Sequence, residues 1–536
     1  MAHSGSYEAT AVRQGRVNLK TKITAGLKKL QHVLRLGGEK RVSASFGEQN
    51  QTKIGGAPLL LELEQTEGLV HGAAESLRDW RYGPQVTFPL WKLLWQRVLL
   101  ICCGYEDVID GVIMSHDPGL RLALGFAPAS QSTVCRFENK MRALSCYRLA
   151  AFLVYWYIAE KKEIPKSIRL DFDGSSIPTR GQQQGSSYRK YYDTQMYFPL
   201  FVFDQDGVLI TAILRPGEDG EAEMTVPVLK RLVKAFRQAW PDVKITVVLD
   251  AGFNDPDIYD WCEDQGADDV SNTVYYLVKL KNTRGGLDSS TKKMAKAVKI
   301  SFGKRFGEGK YLDKKTSKSK VEKAIRREPK AERMELLSEL DSRIAREFGE
   351  FMHCTGKGGQ DKKQWRQYRR VLAQCTYDDW GDRRSFWVTN IVGSDAETLI
   401  NDVYSPRGEA ELRIRDAKSF RCDKLSCQEF LPNQFRLLEH VIAQRLLMKF
   451  RNLLPQSMQQ MSLESVKEHF LKIPALVKEK TKETELVWSS SFPFKNHMHA
   501  LCQRLYRRAL ALTSRLGSYL KFLKSNVIIP PKPQPA

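Results

Sequence analysis

The stretch Ser167-Ile-Arg-Leu-Asp-Phe-Asp173 begins the part of the chain that decides the fold. Before it, apolar residues recur at helical spacing, whereas from residue 166 onward they are arranged as in strands. Asp204-Gln-Asp-Gly207 has the composition of a hairpin turn, which predicts that the strands on either side pair antiparallel. The elements predicted in order are strands over Ser167–Phe172, Gln195–Phe203 and Val208–Leu214, a helix over Ala222–Trp240, a strand over Lys244–Leu249, a helix over Asp255–Gln265 and a strand over Thr273–Leu280.

This order, an antiparallel meander followed by helix–strand units, predicts a ribonuclease-H-like α/β fold, in which helices flank a mixed sheet. A basic insertion at about 281–384 is predicted to interrupt the sheet, because residues 279–333 hold 19 Lys and Arg against 6 Asp and Glu. Residues 334–350 are predicted to be helical. The strand Ser385–Val392 should restore the sheet, and a helix carrying Glu411 should follow it.

The sequence divides into four predicted regions. Residues 1–60 form a basic flexible arm, 61–165 an all-helical lobe, 166–430 the ribonuclease-H-like domain with its insertion, and 431–536 a C-terminal helical region with a disordered tail. Short helices joined by tight turns in the second region permit two interpretations, a helix-turn-helix that reads DNA or an ordinary helical lobe. In the first interpretation the residues that face DNA are Gln131, Ser132, Thr133 and Arg136.

The charge of the chain indicates a polyanionic partner. Its 536 residues carry a formal net charge of +22, with a pI of about 9.4. Such an excess favours nucleic acid over a small substrate. The ten cysteines lack disulfide or zinc spacing and are predicted to be reduced thiols. No apolar run has the length of a signal peptide core or a bilayer span, so we expect a cytoplasmic protein with no membrane partner.

Acidic residues at strand ends are candidate metal ligands. Asp173 is followed by Gly174, where the first strand should end, and Asp250 directly follows the strand Lys244–Leu249. Because ligands collect at the carboxyl ends of strands in α/β sheets, these two carboxylates can share a metal ion. Asp171 lies on the same face as Asp173 and is either a supporting partner or the alternative ligand; we favour Asp173.

A third carboxylate is expected from a later helix. The stretch Tyr404-Ser-Pro-Arg407-Gly-Glu-Ala-Glu411 runs on to Lys418. On a helix with 3.6 residues per turn, Arg407, Glu411 and Lys418 fall within a narrow sector, so that one acid sits between two cations. The carboxylate suits a divalent metal and the cations suit phosphates. We therefore predict as catalytic metal ligands Asp173, Asp250 and Glu411, and as DNA or phosphate contacts Arg407 and Lys418; the family resemblance given next adds Tyr404 as a third such contact.

This ordered set resembles the DDE transposases of bacterial insertion sequences, in the group whose third acid lies in a Tyr-x2-Arg-x3-Glu-x6-Lys signature. The chain carries that signature from Tyr404 to Lys418, and the resemblance covers roughly residues 78–455. Further stretches that resemble blocks of the family are Gly104-Tyr-Glu-Asp107, Ser130 to Asn139, Leu170-Asp-Phe-Asp173, Val248-Leu-Asp250-Ala-Gly-Phe253 and Phe430-Leu-Pro-Asn-Gln434.

The resemblance implies cut-and-paste transposition, in which the enzyme binds terminal inverted repeats, hydrolyses a phosphodiester and transfers the freed 3′-hydroxyl to target DNA. It implies two Mg²⁺ or Mn²⁺ ions as cofactors, double-stranded DNA as partner, a homodimer in the DNA complex and a location at the bacterial nucleoid. It also implies that residues 61–165 bind the DNA end. Related enzymes stack a flipped base on a tryptophan, and the candidates here are Trp365, Trp380 and Trp387.

Two other functions are compatible with the sequence. One is a catalytically decayed DNA-binding protein derived from a transposase, and the other is a structure-specific nuclease on the same fold. The three acids of the predicted site are present, which favours an active enzyme over the first alternative. The basic insertion and the C-terminal helices exceed what simple hydrolysis needs, which favours a transposase over the second.

Overall fold

A computed structural model of the chain gives the fold. It describes residues 50–281, 286–307, 329–355, 364–408 and 422–511, together with 32–34, 42–44 and positions 321, 323 and 325. Within those ranges no helix is both long enough and apolar enough to cross a bilayer. All ten cysteines fall in the described part of the chain, where none of them forms a disulfide; that they are reduced thiols stays a prediction.

The described residues form helices around one large sheet and three small ones. The strands, numbered in chain order, are β1 (His32–Leu34), β2 (Val42–Ala44), β3 (Gln51–Thr52), β4 (Ser167–Gly174), β5 (Ile177–Pro178), β6 (Ser187–Arg189), β7 (Thr194–Tyr197), β8 (Leu200–Asp204), β9 (Leu209–Ile213), β10 (Lys244–Leu249), β11 (Val274–Leu280), β12 (Ala345–His353), β13 (Arg369–Asp378), β14 (Gly381–Thr389), β15 (Ala475–Glu479) and β16 (Thr484–Trp488). The α-helices span Pro58–Glu67, Leu69–Ser76, Leu90–Cys102, Asp110–Met114, Pro118–Leu124, Gln131–Asn139, Ala143–Glu160, Thr225–Ala239, Pro256–Asp264, Gly286–Ser290, Lys292–Phe306, Lys330–Ser342, Ala396–Thr398, Phe430–Asn452, Leu463–Val466 and Lys495–Ala511.

The large sheet has the strand order of a ribonuclease-H-like fold. Its strands lie side by side as β12-β13-β14-β11-β10-β4-β8-β9. β4, β8 and β9 form the antiparallel meander, while β10 pairs parallel with both β4 and β11. The helix Thr225–Ala239 connects β9 to β10, and the helix Pro256–Asp264 lies between β10 and β11. The predicted α/β fold class and element order are therefore confirmed.

One predicted strand is two strands in different sheets. The prediction over Gln195–Phe203 covers β7 and β8, which are separated by Phe198 and Pro199. Proline has no backbone N–H to donate, so a strand is readily interrupted there. β8 continues in the large sheet, whereas β7 pairs with β5 and β6 in a small three-stranded sheet.

The helix predicted over 334–350 is wrong in its second half. The helix ends at Ser342, and the next element is β12, which pairs with β13 along its whole length. Ala345, Phe348 and Phe351 recur at every third residue, and this spacing fits a helix when the sequence is considered alone. Pairing with β13 overrides that local pattern. The large sheet is thereby extended beyond β11 by β14, β13 and β12.

The N-terminal helices pack against the long helix Phe430–Asn452 through a buried charged cluster. Arg97 donates to one oxygen of Glu138 at 2.5 Å, and Arg436 on the long helix donates to the other at 2.6 Å. Glu138 is completely buried, so these bonds offset a large desolvation cost. One apolar core surrounds the cluster and joins residues from both ends of the described chain. The domain boundaries given above stay a prediction.

Candidate active site

Asp173 and Asp250 lie at the same level on neighbouring parallel strands. In the parallel register of β10 and β4, Val248 pairs with Asp171. Asp250 lies two residues after Val248 and Asp173 lies two residues after Asp171, so the two aspartates are level with each other. Asp173 is largely buried and pairs across the other side of β4 with Phe201. The sheet therefore brings together two of the three predicted metal ligands.

A tight turn fixes the direction of the Asp250 side chain. Its Oδ1 accepts a hydrogen bond from the Gly252 backbone N–H at 2.8 Å. Glu221 packs against this turn so closely that a Cβ at Gly252 would lie 1.1 Å from Glu221 Oε2. A larger residue at position 252 would therefore displace the Glu221 carboxylate, and the turn leaves Oδ2 of Asp250 available to Arg407.

Arg407 bridges the two aspartates. Its Nη2 lies 3.5 Å from Asp173 Oδ1 and 3.5 Å from Asp250 Oδ2, and it donates to the backbone oxygen of Phe172 at 3.0 Å. Because both distances start from one nitrogen atom, Asp173 Oδ1 and Asp250 Oδ2 are at most twice 3.5 Å apart. Arg407 is only 8% exposed, and its Nε has no hydrogen-bond partner among the described residues. A cation is thus held between the two acids by the protein itself.

Asp171 is neutralised by a different arginine. Arg169 donates from Nε and Nη2 to the two oxygens of Asp171, each at 3.1 Å, and from Nη1 to the backbone oxygen of Val403 at 3.3 Å. Asp171 is fully buried. This forked pair links β4 to the helical segment before Arg407. The choice of Asp173 over Asp171 as the ligand stays a prediction.

Tyr404 lies beside the same pair of acids. It is half-buried and its ring packs edge-on against Trp387, with 5.4 Å between ring centroids. Burial raises the pKa of its phenol to about 12, while the guanidinium of Arg407 acts in the opposite direction. The phenol consequently keeps its proton at neutral pH and can donate a hydrogen bond to an anionic group.

Glu411 and Lys418, the remaining predicted site residues, lie outside the described residues. Tyr404 and Arg407 are placed by a helical run comprising Ala396–Thr398, a π-helical turn Leu399–Tyr404 and a 3₁₀ turn Ser405–Gly408. In the described part of the chain no three His, Cys, Asp or Glu side chains gather closely enough to hold a metal ion. What is described is a two-carboxylate site, formed of hard oxygen donors of the type that Mg²⁺ and Mn²⁺ prefer.

The three tryptophans named as candidates for stacking a flipped base differ in burial. Trp365 and Trp387 are buried, Trp365 against Tyr259 and Trp387 against Tyr404. Trp380 lies in the turn between β13 and β14 and is half-buried. In this conformation Trp365 and Trp387 serve as core residues.

Sequence reasoning missed two residues beside Asp250. Glu221 belongs to an acidic loop, Glu218-Asp-Gly-Glu-Ala-Glu223, that precedes a helix and has the composition of an ordinary turn. Tyr192 lies in the hairpin between β6 and β7, close enough that the charge of Asp250 contributes to raising its pKa, after burial and Glu221. The only available signal is the cluster Tyr188-Arg-Lys-Tyr-Tyr192, which is unusually aromatic and basic for a loop.

The strand order defines a ribonuclease-H-like α/β protein, and two neighbouring acids lie at the carboxyl ends of β4 and β10. A family model confirms this class. The chain belongs to the family described as "Transposase DDE domain group 1", whose model matches residues 34–510. The predicted resemblance to DDE transposases is therefore confirmed, while the assignment to bacterial insertion sequences and to the Tyr-x2-Arg-x3-Glu-x6-Lys group stays a prediction.

Comparison with solved structures finds similarity to piggyBac transposase in a cryo-EM structure of its synaptic complex with hairpin DNA. The identity is 9% and the TM-score 0.33, over 95% of this chain and 90% of that chain. No curated protein matches the chain.

Proposed function

We propose that this transposase catalyses cut-and-paste transposition of a bacterial insertion sequence, by metal-dependent phosphodiester hydrolysis and strand transfer at terminal inverted repeats. The observation that carries the proposal is the convergence of Asp173 and Asp250 on one point at the carboxyl edge of the sheet. Two acids on adjacent strands, one within β4 and one just after β10, form a pair that a divalent cation can bridge.

Asp173 and Asp250 would hold the metal, with Glu411 as the third ligand on the evidence of the sequence. The cofactor is Mg²⁺ or Mn²⁺, and two ions are proposed. Bound there, such ions activate the attacking oxygen and stabilise the leaving oxygen of the phosphodiester. Arg169 and the Gly252 turn keep Asp171 and Asp250 oriented for this, because each fixes a carboxylate through hydrogen bonds.

Arg407 and Tyr404 are proposed to bind the DNA phosphates beside the acids. A guanidinium can fork two phosphate oxygens, and the protonated phenol of Tyr404 can donate one further hydrogen bond. Lys418 is proposed as a third contact. Since Arg407 now faces Asp173 and Asp250, it must turn from the carboxylates to a phosphate when DNA arrives.

The partner is proposed to be double-stranded DNA, bound by a homodimer at the nucleoid in the bacterial cytoplasm. The helix Lys292–Phe306, in the predicted insertion, buries Ala295, Val298 and Phe302 and leaves a cationic outer face suited to phosphates. Residues 61–165 are proposed to recognise the DNA end. In that region Ser130 caps the helix Gln131–Asn139, which leaves Ser132 and Arg136 exposed.

The proposal is tested with DNA that carries the ends of the element. Asp173→Asn, Asp250→Asn and Glu411→Gln should each abolish cleavage and leave DNA binding intact, because a lost ligand removes transition-state stabilisation and no backbone contact. Asp171→Asn is the matched control on the same strand, and we expect a milder loss. Wild-type cleavage by any of the three ligand variants would remove that residue from the site.

Two further outcomes identify the alternative functions. DNA binding without any cleavage by the wild-type protein would indicate a decayed transposase that acts as a DNA-binding protein. Cleavage without transfer of the 3′-hydroxyl to target DNA would indicate a nuclease. Both reactions are measured on the same labelled DNA, so one experiment separates the three functions.

A further inference from the structure

The two edges of the large sheet differ in how their backbone groups are satisfied. The strand order places β9 at one edge and β12 at the other. Side chains of the long helix cover the β9 edge. Arg445 donates to the backbone oxygens of Leu209 and Ile210, each at 2.9 Å. Gln434 on the same helix donates to the backbone oxygen of Ala212 at 3.2 Å. The sheet is therefore closed by a helix on this side.

The β12 edge is open. β12 spans nine residues, Ala345–His353, and pairs with β13 along its whole length without a bulge. In an antiparallel strand, alternate residues direct their N–H and C=O groups away from the partner strand. Among the residues that the structure describes, none forms a hydrogen bond with these outward backbone groups of β12. A long, regular edge without proline, bulge or cover is a template for one more strand.

The charges on β12 make the strand complementary to itself. Arg346, Phe348 and Glu350 alternate along the strand and share one face. When a second β12 lies antiparallel with the two Phe348 residues opposite each other, Arg346 of each copy faces Glu350 of the other. Opposite charges and aromatic rings across a strand pair are stabilising, whereas like charges are destabilising. Centring the pair on Glu347 would set two carboxylates against each other, and centring it on Gly349 would place Phe348 opposite Glu350. The sequence thus favours one register.

The side chains that this pairing uses are accessible. Arg346 and Glu350 are exposed, and Phe348 is half-buried. Glu350 accepts a hydrogen bond from Nε of Arg370 at 3.1 Å, yet its side chain is still 50% exposed. A carboxylate has about four acceptor positions, so that of Glu350 can accept from a second arginine as well.

Both faces of β12 are covered, which leaves only its edge for a partner. The helix Lys292–Phe306 packs on one face, where Met294 Sδ lies 3.1 Å from the position of a Cβ at Gly349. On the other face Phe348 packs against the apolar cluster that includes Leu399. A partner must therefore add to the sheet as a strand, because no face of β12 remains for a helix to cover.

We infer that two copies of this chain pair through β12, antiparallel and centred on Phe348, so that their eight-stranded sheets join into one sheet. The inference rests on the proposed function for the homodimer and gives that homodimer an interface. The twofold axis of such a pair is perpendicular to the sheet, so the two helices Lys292–Phe306 lie on the same side of it. Their cationic outer faces then form one surface for DNA.

The test is sedimentation velocity of the full chain without DNA, over a series of protein concentrations. A salt concentration of about 0.3 M screens repulsion between the two cationic helices. The wild-type protein should form a dimer with a Kd of about 1–100 μM, because two paired strands bury less area than a standard interface. Arg346→Glu and Glu350→Lys should each raise the Kd at least about tenfold, since each turns two opposite-charge pairs into two like-charge pairs.

Mixing the two variants tests the register itself. In a mixed pair every acid again faces a base, so an equimolar mixture should form a heterodimer with an affinity close to that of the wild-type protein. The matched control is Glu485→Lys: Glu485 lies on β16, at the edge of a small sheet, and pairs with Lys480 at 3.2 Å. This variant should dimerise as the wild-type protein does.

Three results would overturn the inference. A wild-type protein that stays monomeric throughout would leave the edge to a strand of another protein. A dimer that both charge variants retain, or a mixture of folded variants that does not associate, would place the contact elsewhere. Urea unfolding identifies the folded variants, which should keep the wild-type midpoint because both positions are exposed. Cleavage is not measured, so a negative result leaves the proposed chemistry at Asp173 and Asp250 standing.

Discussion

Replacing Arg407 by alanine should destabilise the metal-free protein and tighten its binding of a divalent cation. The Arg407 guanidinium is the positive charge between Asp173 and Asp250, at 3.5 Å from each. A divalent ion bridging the same two carboxylates must take over that contact. Arg407 is therefore a competitor of the metal ion, and its removal takes away a positive charge that the two neighbouring acids share.

The expected size of the effect follows from the geometry. Two unit charges at about 4 Å interact by about 4 kcal/mol at an effective dielectric constant of about 20. The Asp250 side chain is 37% exposed, so solvent screens its ion pair with Arg407. The desolvation cost of burying the guanidinium also reduces the net stabilisation from the ion pairs with Asp173 and Asp250. We expect a net loss of about 1–2 kcal/mol in the free energy of unfolding without metal. Release of this competition should improve the affinity for Mn²⁺ about tenfold.

The assay is calorimetric titration of the DNA-free protein with Mn²⁺, together with urea unfolding in the presence and absence of the ion. Arg407→Lys should give an intermediate result, because lysine keeps the charge but cannot fork. Arg343→Ala is the control: Arg343 pairs with buried Asp379 at 3.1 Å, in a part of the sheet separated from β10 by other strands. It should destabilise the protein without altering Mn²⁺ affinity. Unchanged or weaker Mn²⁺ binding by Arg407→Ala would refute the competition.

Two further predictions concern stability and DNA affinity. Burial lowers the pKa of His440 to about 4, so the unfolded chain takes up a proton below about pH 6.5 that the folded chain does not. Between pH 7 and pH 5 the wild-type protein should therefore lose about 2 kcal/mol more unfolding free energy than His440→Gln, as measured by urea unfolding at both pH values. Replacing Lys292, Lys296 and Lys299 by glutamine should reduce the slope of log affinity for duplex DNA against log salt by about 2 to 3. The same change at Lys230 and Lys234, exposed on a helix outside the insertion, should leave the slope unaltered.

The sheet could be predicted because each of its early strands carries its own local signal. β10 matches the predicted Lys244–Leu249, since a β-branched run bounded by turn residues needs no distant information. Over 345–350 the apolar residues recur at every third position and favour a helix, and only pairing with β13 determines that this segment is part of β12. Pairing between strands that are far apart along the chain is the part of the fold that local periodicity leaves undetermined.

The same distinction applies to the candidate site. Asp173 and Asp250 could be selected because the ends of parallel strands meet at one edge, which is a topological rule. That Arg407 would bridge them could not be foreseen, because the contact depends on how a helical segment more than 150 residues further along the chain docks on the sheet. Glu221 carries no local signal beyond the composition of a polar turn, and Tyr192 carries only that of an aromatic and basic loop.

The docking of that helical segment gives a physical reason for the spacing of the Tyr-x2-Arg-x3-Glu signature. Arg169 binds Val403 O, Trp387 packs on Tyr404, and Arg407 reaches both aspartates, so three successive contacts hold the segment to the edge of the sheet. Glu411 follows Arg407 by four residues, which is one turn if the helix continues. On a continuing helix, Glu411 would share a face with Arg407. The contacts of Arg169 with Val403 O and of Trp387 with Tyr404 would then hold that face near Asp173 and Asp250 after a metal ion has displaced the Arg407 guanidinium.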